Sequence, residues 1–80
     1  MDIVISNRFE RSIRRISSTY REKIKEAIEE LRLGTNRGKK LDGRLRDFYS
    51  LRIGPYRIIY QIFGNTIKLS DVGHRQNVYD

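Results

Sequence analysis

Five side chains in the C-terminal half of the chain have types that handle a phosphodiester: Arg52, Arg57, His74, Arg75 and Tyr79. A guanidinium binds phosphate oxygens through paired hydrogen bonds and stabilises the added charge of a pentavalent transition state. An imidazole, with an unperturbed pKa of about 6.5, can move a proton at neutral pH. RNA supplies its own nucleophile, the 2′-hydroxyl. Cleaving it needs a base for that hydroxyl, cations for the phosphorane and an acid for the 5′-oxygen. Tyr79, four residues beyond Arg75, has the type to stack a base or assist proton transfer, or else to anchor the C-terminus by packing.

Whether these residues meet depends on the strands that carry them. From Asp47 the apolar pattern has a period of two. Tyr49, Leu51 and Ile53 alternate with Phe48, Ser50 and Arg52; Tyr56, Ile58, Tyr60 and Ile62 alternate with Arg57, Ile59, Gln61 and Phe63. Gly54-Pro55 and Gly64-Asn65 mark two tight turns, and a third strand follows over Thr66–Val72, predicting an antiparallel meander. With two-residue hairpins, Ile53 faces Tyr56, Leu51 faces Ile58, Tyr49 faces Tyr60, Tyr60 meets Leu69, and Ile62 meets Ile67. One face is then apolar in all three strands. On the other face Arg52 lies opposite Arg57, and Gln61 opposite Lys68. Like charges directly opposite are destabilising unless an anion bridges them or both splay into water. This register puts Val72 near Arg57 and brings His74 and Arg75 beside the arginine pair on the open face. Asp71 would point at the core, so a bulge is expected near Ser70–Asp71.

The first half reads as a strand and a helical hairpin. Ile3, Val4 and Ile5 are a short β-branched run. Asn7-x-x-Glu10 is a capping-box pattern, followed by Phe9, Ile13 and Ile16 on one helical face. Ser17, Ser18 and Thr19 break that helix. Thr19-x-x-Glu22 is a second capping-box pattern, and Tyr20, Ile24, Ala27, Ile28 and Leu31 form the stripe of a helix closed by Gly34. Residues 35–46 are expected to be a basic loop holding Arg37, Lys39, Lys40, Arg44 and Arg46. The order β-α-α-β-β-β predicts one α+β domain over residues 1–80, with the helices packed on one sheet face.

Composition narrows the function classes. Eighty residues leave room for one small domain, which buries only about 60% of its unfolded surface. The absence of cysteine excludes disulfides, thiolate metal sites and cysteine nucleophiles, and one histidine argues against an all-protein transition-metal site. No cofactor or metal is expected. No apolar run approaches the roughly 20 residues that span a bilayer, so a cytoplasmic protein is expected. Seventeen Lys and Arg against ten acidic residues give a formal charge of +7, which calls for an anionic partner.

The segment Arg52-Ile-Gly-Pro-Tyr-Arg-Ile-Ile-Tyr60, a hairpin, and then Val72-Gly-His-Arg-x-x-Val-Tyr79 resembles the C-terminal half of RelE/ParE-superfamily toxins. Lys39-Lys-Leu-Asp-Gly43 is similar to the basic element that precedes the sheet in that family. The strand and two helices ahead of it also match, so the resemblance covers nearly the whole chain. It implies the RelE-like microbial ribonuclease fold and the toxin of a type II toxin–antitoxin pair, one that enters the ribosomal A site and cuts mRNA without metal by attack of the 2′-hydroxyl. Carried over by position, Arg57 and Arg75 match phosphate-stabilising arginines, and Tyr79 matches a C-terminal tyrosine that stacks on RNA or assists proton transfer. His74 falls where relatives have lysine or histidine. Arg52 matches a basic strand position, with Lys39, Lys40, Arg44 and Lys68 as further RNA contacts.

Some RelE toxins place two lysines on the first meander strand, where this chain has Phe48 and Ser50. The proton acceptor is then Lys39 or Lys40 from the loop, or His74 with Tyr79. The implied partners are an antitoxin with an acidic or amphipathic segment, mRNA and ribosomal RNA. A ParE-like member would instead block DNA gyrase on the same fold. A third reading is a nucleic-acid-binding relative with weak or no catalysis.

Overall fold

The computed structural model of the chain describes residues 1–74. Strand β1 (Asp2–Ile5) leads into helices α1 (Asn7–Ile13) and α2 (Ser18–Leu33). Strand β2 (Lys39–Lys40) and a 3-10 turn (Gly43–Leu45) precede β3 (Tyr49–Ile53), β4 (Tyr56–Phe63) and β5 (Thr66–His74). The sheet order is β1-β5-β4-β3-β2, with β1 parallel to β5 and the other pairs antiparallel. The meander is thus the centre of a larger mixed sheet. The helices cover one face of it.

Both hairpins turn in two residues, with Gly54 at φ 58° and Gly64 at φ 57° in the first central position. Glycine reaches positive φ without a Cβ clash, as type II′ hairpin turns require. At Gly54 a side chain is also barred by packing, because an added Cβ would lie 2.5 Å from the Tyr20 ring of α2. The register of β3 on β4 is the one expected, from Tyr49 opposite Tyr60 to Ile53 opposite Tyr56.

The core lies between this sheet and the helices. Ile24, Ile58 and Leu69 have no exposed surface, and Phe9, Leu31, Tyr60, Ile67 and Val72 are nearly as deep. The stripe of α2 meets the sheet as its spacing requires, and Gly34 ends the helix in the left-handed region at φ 78°.

Both helix starts differ from the capping-box patterns. Ser6 caps α1: its Oγ accepts from Phe9 N–H at 3.1 Å and donates to the Ser70 carbonyl at 2.8 Å. The Ser6 N–H donates to the Leu69 carbonyl. Ser6 therefore wins over Asn7 because β5 already holds it at the end of β1. Helix α2 starts at Ser18, capped by Ser17 without a side-chain bond, so Thr19 and Glu22 lie inside the helix. Helix α1 stops at Ile13, earlier than expected, while Ile16 in the following turn still enters the core.

Candidate nucleic-acid interface

The face without helices is built by the alternate residues of the sheet. Arg52 lies directly opposite Arg57 across β3 and β4, as the sequence register predicts. Arg52 is exposed and its Nε donates to the Gly54 carbonyl at 3.4 Å; Arg57 is half-buried. Beside them on the same face lie Ser50 and Ile59, opposite each other and both buried despite facing away from the helices. Toward the other end Gln61 is opposite Lys68, which in turn is beside Val4 of β1. A row of cations on one open sheet face is the electrostatic footprint of a polyanion site.

Lys39 joins this face through an element the sequence reading did not foresee. The expected loop contains β2, in which Lys39 pairs with Ser50 and Lys40 with Tyr49. Directly paired residues share a face. Lys39 therefore flanks Ser50 on the arginine face, whereas Lys40 shares the helix-side face of Tyr49. Arg44 sits exposed on the 3-10 turn, off the sheet. So of the five cations expected as RNA contacts or strand cations, Lys39, Arg52 and Lys68 share the face of Arg57, and Lys40 and Arg44 do not.

What holds β2 in place is Tyr60. Its side chain reaches under β3, stacked on Tyr49 at 5.3 Å between ring centroids, and its hydroxyl accepts from the Gly38 N–H at 2.7 Å. Only glycine fits at this point: a Cβ on Gly38 would lie 2.6 Å from the Ser50 carbonyl oxygen and 2.9 Å from the Tyr60 hydroxyl. Burial holds the Tyr60 phenol above the ordinary tyrosine value, with the Gly38 N–H pulling the other way.

The bulge is where Asp71 predicted it, and it moves His74. Ile59 pairs with Asp71 while Tyr60 pairs with Leu69, so Ser70 is the extra residue. Asp71 is caught by α1: Ser12 Oγ donates to Oδ1 at 2.7 Å, and Arg8 Nε lies 3.0 Å from Oδ2. The Val72 N–H also donates to Oδ1. Beyond the bulge every partner is offset from the unbulged register. Gly73, not Val72, lies opposite Arg57, and His74 lies opposite Tyr56.

His74 is therefore on the helix side, edge-on to the Tyr56 ring at 6.0 Å, and borders a hollow of about 270 Å³ with Ser12, Arg15 and Asp71. This corrects the expectation that it joins the arginine pair. Arg75 and Tyr79 lie outside the described residues. Among the described residues no cluster of His, Cys, Asp or Glu could hold a metal ion, and no helix is long and apolar enough to cross a membrane.

Residues 3–79 match the family described as ParE toxin of type II toxin–antitoxin system, parDE. The chain is 29% identical to Toxin RelE3 of Methanocaldococcus jannaschii over 86 aligned residues, covering the whole chain and 97% of that protein. Among solved structures it is similar to the RelB-RelE antitoxin-toxin complex from Methanococcus jannaschii, with TM-score 0.80 and 28% identity over 96% of this chain and 95% of that one. It is also similar to the isolated E. coli RelE toxin, with TM-score 0.78 and 26% identity over 98% of this chain and 89% of that one. The two-helix, mixed-sheet architecture is the RelE fold.

Proposed function

Because the chain belongs to the ParE toxin family of type II toxin–antitoxin systems, within the RelE/ParE superfamily, we propose that it is the toxin that cleaves mRNA in the ribosomal A site. The observation that carries this reading is the facing pair Arg52 and Arg57, flanked by Lys39, on the sheet face that the helices leave open. Cations so placed suit a phosphodiester backbone and the charge that develops at its phosphorus.

In the proposed reaction the 2′-hydroxyl oxygen attacks the adjacent phosphorus. A 2′-O–P bond forms and the P–O5′ bond breaks, leaving a 2′,3′-cyclic phosphate and a 5′-hydroxyl. The 2′-hydroxyl proton goes to a base and the 5′-oxygen takes up a proton. No step requires a metal ion. Arg57 holds the scissile phosphate and stabilises the phosphorane, with Arg75 as the second phosphate-binding arginine. Tyr79 stacks on the RNA or assists proton transfer. Lys39, Arg52 and Lys68 hold the strand.

His74, on the far side of the sheet from Arg57, is not given the proton-transfer role. Binding of a cognate antitoxin through an acidic or amphipathic segment belongs to the same proposal. It is supported by the charge of +7 and by the likeness to a RelE toxin solved with its RelB antitoxin.

A second reading, inhibition of DNA gyrase, is favoured by the description of the matched family, which names the ParE toxins. The two separate cleanly. The purified chain is incubated in parallel with a translation reaction and with DNA gyrase on supercoiled plasmid. Broken mRNA with unimpaired gyrase supports the first reading. Arrested gyrase with intact mRNA supports the second and sinks the first.

A further inference from the structure

Strand β4 outruns its neighbour. Pairing of β3 with β4 stops at Tyr49 opposite Tyr60, yet β4 continues to Phe63. The overhang leaves a notch of about 260 Å³ at the sheet edge, bounded by Phe63, Gln61 and Tyr49 and by Lys40, Arg46 and Asp47. Phe63 is 57% exposed there. It shares the open face with Arg57, six residues earlier on the same strand, or about 20 Å along it. A lone exposed aromatic needs no explanation. One that borders a notch holding two cations has the composition of a nucleotide site, because bases stack on aromatic faces while Lys and Arg take the phosphate.

We propose that this notch is a second RNA subsite, in which Phe63 stacks a base a few nucleotides from the phosphate held at Arg57. Lys40 and Arg46 neutralise the phosphate of that nucleotide. The Asp47 carboxylate would repel a phosphate, and it accepts a hydrogen bond from a base amino group instead. Lys40 thus has a place in binding although it points away from the arginine face. The inference rests on the RNA reading of the open face. It adds to that reading a contact made through stacking, which depends less on salt than ion pairing does, while the Asp47 carboxylate favours bases that carry an amino group over uracil.

The test is binding of a fluorescein-labelled hexaribonucleotide at low salt, by anisotropy, to the wild-type chain, Phe63→Ala and Phe63→Trp, with mRNA cleavage by the wild type run alongside. Phe63→Ala is expected to bind about tenfold more weakly and Phe63→Trp to restore binding, since either aromatic ring offers a π face. Equal binding by wild type and Phe63→Ala, or no measurable binding by wild type, overturns the subsite. Cleavage without a Phe63 effect sinks the notch and leaves the nuclease reading standing. A Phe63-dependent affinity without cleavage does the reverse.

Discussion

Two guanidinium groups that face each other on a sheet raise each other's cost until an anion arrives between them. Arg52 and Arg57 were paired correctly from sequence, because three strands shared one apolar face and a slip of one residue would have turned all of them over. His74 was misplaced by the same arithmetic. Asp71 marks the bulge in the sequence, and the one-residue offset it introduces shifts Val72, Gly73 and His74 along β4. Tyr60 read simply as core. Its hydroxyl contact with Gly38 could not be read, since nothing in a sequence says which backbone group a buried phenol will reach.

That phenol gives a pH prediction. Its value in the folded chain is raised by burial, so the folded state holds the proton more tightly than the unfolded one. The contribution is complete below the unfolded value, about pH 10, and is lost as pH rises through the folded one. Urea unfolding across the alkaline range should show the wild type losing stability more steeply than Tyr60→Phe. Parallel curves would mean that Tyr60 titrates as an exposed tyrosine.

At the scale of elements, β2 is the instructive miss. It has two residues, both lysines, and no apolar alternation, so nothing local distinguishes it from a loop. It exists because Tyr60 and the edge of β3 hold the chain at Gly38. The signal available was Gly38 itself, the glycine of the basic segment that lies just ahead of Lys39. Gly38→Ala should push β2 off the sheet edge, because the new Cβ would meet the rigid Ser50 carbonyl. Amide exchange at Lys39 and Lys40 should rise in that variant while the central pairing of β4 and β5 stays protected. RNA affinity should fall at least as far as in Lys39→Met, since Lys40 moves with Lys39, and adding Lys39→Met to Gly38→Ala should weaken it no further. Unchanged exchange at Lys39 and Lys40 would show that the backbone absorbs the Cβ. The parallel docking of β1 on β5 was likewise unreadable, since three β-branched residues declare a strand but not its neighbour.

For the whole molecule, the order of elements apart from β2 and the apolar face of the meander were legible, because periodicity reports burial on one side of a sheet. The open face was legible only in part, since function there depends on which loops and edges surround it. The formal charge of +7 and the cations of that face predict a steep loss of RNA affinity with salt. The slope of log affinity against log salt for a single-stranded oligonucleotide should shrink by about 0.7 for each phosphate contact removed by Lys39→Met or Lys68→Met. Unchanged slopes in both variants would place RNA elsewhere on the surface.

In the proposed function Arg57 acts on a phosphodiester of ribosome-bound mRNA. Primer extension on mRNA from a translation reaction tests it, with wild type, Arg57→Ala and naked RNA run side by side. New breaks within A-site codons, with 2′,3′-cyclic phosphate ends, are expected in the presence of ribosomes and wild-type chain. Arg57→Ala should reduce them about 100-fold or more, the typical loss of one transition-state charge contact. Intact mRNA at wild-type concentrations that still arrest growth, or cleavage that survives Arg57→Ala at full rate, would contradict it.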